Sequence, residues 1–161
     1  ELRKLLSLCF VGPEGGESIF ARKRYNHEMP PWRWLVREQA GSRLVAHAAA
    51  HDKLLGTSGG DLRCGGVAEV CVHPDWRGHR LVPLLLARIH DFLQARGIAF
   101  CTLLGDIRVY RSSGYQWPGN PVRYLDENLD PVEERLDTFL IRPLSDAAWP
   151  EGTIDLRCQL F

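Results

Sequence analysis

The stretch Val70-Cys71-Val72-His73-Pro74-Asp75-Trp76-Arg77-Gly78-His79-Arg80-Leu81-Val82 changes character twice. A run of strand-forming residues stops at Pro74-Asp75, a basic turn containing glycine follows, and a long apolar-periodic segment begins. In that segment Leu81, Leu85, Ile89, Phe92 and Leu93 recur at the spacing of one helical face, which predicts a helix over Arg80 to Arg96. Pro83 falls in its first turn, where a missing N–H costs little, and Gly97 stands where a helix-ending glycine belongs. The first amides of a helix lack intrahelical partners and lie at the positive end of its dipole. A strand that feeds such a helix start through Arg77, Gly78, His79 and Arg80 is therefore built to receive a pyrophosphate.

Outward from this turn, Val67 to His73 is the strongest strand, led in by Asp61 to Gly65. Trp32 to Gln39 and Leu44 to His51 form a predicted hairpin about a turn at Ala40-Gly41-Ser42, and Leu54 to Gly60 reads as a Gly/Ser loop. Glu1 to Phe10 is an amphipathic helix, Val11 to Ser18 a loop rich in Gly and Glu, and a second short helical segment precedes Pro30-Pro31. Downstream, Ala99 to Leu104 is a short buried strand, Ile107 to Ser112 a short helix closed by Gly114, and Leu136 to Leu144 a strand. The order predicts one α/β domain over residues 1–161. Its sheet is of mixed direction, with one right-handed crossover through the helix that begins at Arg80.

The 161 residues suffice for a single core, and the formal net charge is zero. That balance is uneven along the chain. From Tyr124 to Asp155 the acids Asp126, Glu127, Asp130, Glu133, Glu134, Asp137, Asp146, Glu151 and Asp155 face only Arg135 and Arg142. Such asymmetry suits an anionic ligand at one end and a cationic one at the other, and equally a solvated acidic loop. The acids would repel phosphate, which excludes a nucleic-acid role, and no apolar run spans a bilayer. Five scattered cysteines without a CxxC pair argue against a disulfide framework or a metal site and for a reducing cytoplasm. The chain opens on Glu1 rather than Met, which suggests that a segment precedes it.

The central string resembles motif A of the GNAT superfamily, whose turn reads Arg/Gln-x-x-Gly-x-Gly/Ala and binds the pyrophosphate of acyl-CoA. Arg77 matches its first position, while Arg80 and Val82 occupy the two glycine or alanine positions. Leu62 to Val82, "LRCGGVAEVCVHPDWRGHRLV", is similar to the aminoglycoside 2'-N-acetyltransferases, which bind acetyl-CoA without those glycines. "LVAHAAAH" (Leu44 to His51) and "GDIRVYRSSGY" (Gly105 to Tyr115) look like further GNAT segments. "WPEGTID" (Trp149 to Asp155) resembles both the end of the aminoglycoside enzymes and that of the nodulation N-acyltransferases. The resemblance implies a GNAT fold: a mixed, mostly antiparallel sheet flanked by helices, its central strands splayed, with the first strand that such folds place ahead of the first helix missing from this sequence. It implies acetyl-CoA as co-substrate, held by Val70, Cys71 and Val72 along the splayed strand and by Arg77, Gly78, His79, Arg80, Leu81 and Val82 at the turn.

The acceptor so implied is a primary amine on a small cationic molecule, an aminoglycoside or amino sugar. A long-chain acyl donor and a non-catalytic coenzyme-binding protein stay open as alternatives. Acetyl-CoA, the amine and a second copy of the chain are the partners this reading allows. Tyr110 is the expected acid for the departing thiolate. Glu69 is the expected base, although it stands one residue beyond the position the resemblance assigns, which only a bulge would correct. His47 and His51, four apart on one strand face, are alternative bases. In the aminoglycoside enzymes the terminal carboxylate faces the amine; this chain runs six residues further, and the resemblance places the Asp155 side chain near that position as its catalytic substitute. Glu14 and Glu17 lie in the loop where acidic acceptor contacts are expected, and the tryptophans carry no assigned role.

Overall fold

The computed structural model describes residues 1–12, 15–39, 41 and 43–160. Among these, eight strands form one sheet flanked by helices. Helix α1 (Leu2–Cys9) is followed by strands β1 (Trp32–Arg37), β2 (Leu44–Thr57) and β3 (Gly60–Val72), then helix α2 (Leu81–Gln94). Strand β4 (Phe100–Leu104), the short helix α3 (Ile107–Tyr110) and strands β5 (Val122–Leu125), β6 (Pro131–Glu134), β7 (Phe139–Pro143) and β8 (Ile154–Gln159) complete it. The sheet runs β6-β5-β8-β2-β3-β4-β7, with β1 pairing the first part of β2. Pairing is antiparallel except for β3 with β4 and β5 with β8, so the expected mixed sheet and its crossover through α2 are present.

Helix α2 forms where the periodicity placed it. Leu85, Leu86, Ile89 and Leu93 are buried against Ala46, Ala48, Ala50 and Val67 of the sheet, each burial contributing roughly 1.5–3 kcal/mol. Phe92 stands edge-on between Trp32 and Trp34, with centroids 5.0 and 5.1 Å away, so these two tryptophans are core aromatics. At Gly65 an added Cβ would collide with the Leu93 side chain, and the absence of one lets β3 meet α2 closely. On the opposite face, Leu5 and Leu6 of α1 pack with Phe20, Leu44 and Cys71.

Two sequence expectations are corrected. Leu54 to Gly60 is not a loop: β2 continues to Thr57 and a tight turn at Ser58-Gly59 leads into β3. The alternation of buried Lys53 and Leu55 with exposed Leu54 continues the strand, and the Thr57 hydroxyl closes the turn on the Gly60 carbonyl at 2.7 Å. Nor is the segment before Pro30-Pro31 helical; it is a series of turns and bends. Its backbone is held from outside, Arg33 donating to the Arg24 carbonyl at 2.7 Å and the Asn26 N–H donating to Glu69 at 3.2 Å. The hairpin turn at Ala40-Gly41-Ser42 lies partly outside the described residues, as does Glu14.

Candidate active site

Strands β3 and β4 pair only at Gly65↔Cys101, Gly66↔Thr102 and Val67↔Leu103, then diverge. The half of β3 from Ala68 to Val72 therefore has β2 on one side and an open edge on the other, where backbone groups are available to a ligand. A cavity of about 430 Å³ lies along that edge and reaches the start of α2. A second, of about 190 Å³, lies where the strands part. Phe10, Val70 and Tyr110 line both.

The larger cavity has the backbone and charge features of an anion cradle. Gly78 has φ of +82° and Arg80 has φ of +57°, so left-handed residues flank the turn before α2. Successive amides in such alternating backbone converge on a negative group. No side chain caps α2 and no acid stands in its first turn, and Leu81 and Val82 line the cavity together with Arg77 and Arg80. Arg80 adopts by strain the backbone that a glycine adopts freely. Of the nine residues expected to hold a coenzyme, Val70, Cys71, Val72, Arg77, Gly78, Arg80, Leu81 and Val82 line this cavity. His79 does not; its ring packs 5.5 Å from that of Trp76. Cys9 and Phe10 of the first helical segment, with Trp76 and Pro83, complete the wall and were not foreseen. The Cys9 thiol donates to the Val72 carbonyl at 3.4 Å. A hydrogen bond from Cys71, and then the nearby Arg77, bring its pKa down to about 7, while the same contact and burial push Cys71 up.

Glu69 sits on a bulge. The register passes from His47↔Cys71 to Ala49↔Ala68, so Glu69 and Val70 together oppose Ala48, and Glu69 has φ of +54°. The extra residue turns the Glu69 side chain to the face that carries Asn26 and Arg33, where it is 4% exposed. Arg33 donates to its Oε2 at 2.8 Å. Burial raises the Glu69 pKa above its ordinary value, against the pull of Arg33.

His47 pins the bulge. Its Nδ1 lies 2.9 Å from the Glu69 carbonyl, which can only accept, so Nδ1 carries the proton and Nε2 accepts from Arg33 at 3.0 Å. Burial holds it neutral, with its pKa down to about 4. Both ring nitrogens are thus engaged, and neither His47 nor His51 lines the two cavities. Arg33 was not foreseen, although a charged residue between Trp32 and Trp34 is a legible anomaly on a strand.

Tyr110, at the end of α3, packs its ring over Gly105, where a Cβ would collide with it, and edge-on to Tyr115 at 5.9 Å. Burial raises its pKa, so the hydroxyl stays protonated at neutral pH. Among the described residues that hydroxyl has no hydrogen-bond partner in the protein. The structure brings Tyr110, Glu69 and Val70 to one cavity.

A family model described as an acetyltransferase (GNAT) domain matches residues 1–117. The chain belongs to the GNAT acetyltransferase family. Its fold is similar to that of a GNAT acetyltransferase from Brucella melitensis solved with acetyl-CoA, at 17% identity, over 96% of this chain and 86% of that one, with a TM-score of 0.62. A GNAT N-acetyltransferase from Escherichia coli solved with CoA matches at 20% identity over 78% of this chain, TM-score 0.59; the match spans 66% of that protein's length. A third, from Anabaena variabilis, matches at 21% identity over 73% of this chain and 29% of that one, TM-score 0.58.

In this GNAT chain Asp155 does not join the site. It lies on β8 opposite Gly56, eight residues along β2 from Ala48, or roughly 25 Å away. Its carboxylate accepts the Arg157 N–H at 2.9 Å. The "WPEGTID" string is a structural bracket there: Trp149 Nε1 donates to Asn120 Oδ1 at 2.9 Å, and Asn120 Nδ2 donates to the Pro150 and Gly152 carbonyls at 3.1 and 2.7 Å. Glu17 is exposed and lines neither cavity. No cluster that could hold a metal ion occurs among the described residues, and none of their helices is long and apolar enough to cross a membrane.

Proposed function

We propose that this chain transfers an acetyl group from acetyl-CoA to the primary amine of a small acceptor. The observation that carries it is the wall of Phe10, Val70 and Tyr110 common to an anion-cradling cavity and a smaller cavity containing the buried Glu69. Arg77, Arg80 and the amides of Leu81 and Val82 fit a pyrophosphate, and the open β3 edge at Cys71 and Val72 fits an extended chain bearing amides. The thioester carbonyl is then directed toward Val70, between Tyr110 and Glu69. The amine nitrogen must be neutral to attack, and Glu69, with its raised pKa, accepts its proton directly or through water. As the new C–N bond forms and the C–S bond breaks, Tyr110 gives its proton to the departing thiolate.

The donor reading favours acetyl over a fatty acyl group, because a cavity of about 190 Å³ must hold both the transferred group and the acceptor amine. The narrower aminoglycoside reading rests on the wording of Leu62 to Val82 and on acids near the amine; of those acids, Glu69 alone lines the cavity among the described residues.

The test is thiol release from acetyl-CoA in the presence of a panel of amines, with calorimetric binding of acetyl-CoA alongside. Tyr110→Phe is expected to lower kcat roughly 10²-fold with little change in acetyl-CoA binding, and Glu69→Gln to lower kcat/KM most where Glu69 is ionised and the amine still carries its proton. Unchanged turnover in Tyr110→Phe would remove it from the acid role, and neither release nor binding in the parent protein would refute the proposal.

A further inference from the structure

The cavity beside Glu69 has an unusual balance of chemistry for a site that receives an amine. Phe10, Ile19, Phe20, Val67, Leu103 and Leu104 make up most of its wall, and its polar groups come from Asn26, Glu69 and Tyr110. Glu69 is the single carboxylate among the described lining residues, and its charge is already matched. Arg33 holds Oε2 at 2.8 Å and the Asn26 N–H holds Oε1 at 3.2 Å. The segment that carries Asn26 is itself basic, with Arg22, Lys23, Arg24 and His27 against Glu28, which Lys53 engages. Lys23 stays close to this segment, its Nζ donating to the Asn26 carbonyl at 2.9 Å.

An acceptor with several ammonium groups would meet apolar side chains and nearby cations here. Each additional charge would lose its hydration with no free carboxylate in the described wall to compensate it. An amine that can enter as the neutral base and bury an apolar remainder meets neither cost. A cavity of about 190 Å³ suits a short or planar group. Resting on the acetyl-transfer reading above, we infer that the acceptor is a small primary amine carried singly on an apolar body, rather than a polyamine or aminoglycoside. Ile19, half exposed at the mouth, is the residue through which charge selection can be altered without disturbing the core.

The experiment compares 2-phenylethylamine, spermidine and tobramycin as acceptors, following thiol release and the acetylated product by mass. The expected result is a kcat/KM for 2-phenylethylamine at least tenfold above either polycation. Ile19→Glu, which adds a carboxylate at the mouth, is expected to shift that ratio toward spermidine at least fivefold. Equal or better use of the polycations, or a ratio unmoved by Ile19→Glu, overturns the inference while leaving acetyl transfer standing. No thiol release with any of the three or with a wider amine panel overturns acetyl transfer itself, and the inference with it.

Discussion

Arg80 holds a left-handed backbone, with φ of +57°, at a position where the general GNAT turn carries glycine or alanine. A left-handed conformation costs a residue with a Cβ about 1–2 kcal/mol, part of which glycine would return through its larger unfolded-state entropy. The strain and the guanidinium charge make opposite predictions for one variant. Arg80→Gly is expected to stabilise the fold by about 0.5–1 kcal/mol while weakening acetyl-CoA binding about tenfold. Thermal denaturation and calorimetry read the two separately; lost stability or unchanged binding would show that the side chain does something else. At this scale the sequence displays side-chain chemistry and hides dihedral angles. The basic turn was legible from Arg77 to Arg80, whereas the bulge that turns Glu69 inward could be named only as a condition. Arg33 and Cys9 reach the site across long loops that spacing does not describe.

Among the elements, α2 was the most legible because Leu85, Ile89 and Leu93 repeat over several turns. The length of β2 was not, because glycine and serine at its tip outweighed the alternation at Lys53, Leu54 and Leu55. The position of β8 was hidden for another reason. It enters the sheet between β5 and β2, and no local pattern tells a strand which neighbours it will take, so Asp155 was assigned to the wrong end. The contact between β3 and α2 depends on Gly65 lacking a side chain, since its Cβ would meet Leu93, which is fully buried and has no space to retreat. Gly65→Ala is expected to cost about 1–3 kcal/mol, lowering the melting temperature by roughly 2–10 °C. An unchanged melting temperature would mean that the helix shifts freely on the sheet.

Across the whole molecule, three buried histidines stay neutral. Burial lowers His47 and His51 to about 4 and His90 to about 3. In the unfolded chain they would titrate near 6.5, so between the two values the unfolded state binds protons that the native state refuses. Stability therefore falls as pH drops through that window, whose upper part lies above the range where ordinary carboxylates titrate. A melting temperature roughly 5–15 °C lower at pH 5 than at pH 7 is expected. A flat profile would show that the native state admits the protons without unfolding. The larger plan of the molecule, one mixed sheet with a helix crossing over from its longest central strands, follows from element order and handedness, and it was legible before any distances were known.

The wall of Phe10, Val70 and Tyr110 has a thermodynamic corollary for the two ligands. A side chain that both would touch cannot be positioned for one without altering what the other meets. Whatever factor acetyl-CoA applies to the dissociation constant of the amine, the amine must apply to that of acetyl-CoA. An inert analogue of the acceptor would then serve as a gauge of coenzyme affinity, and the coenzyme as a gauge of the acceptor.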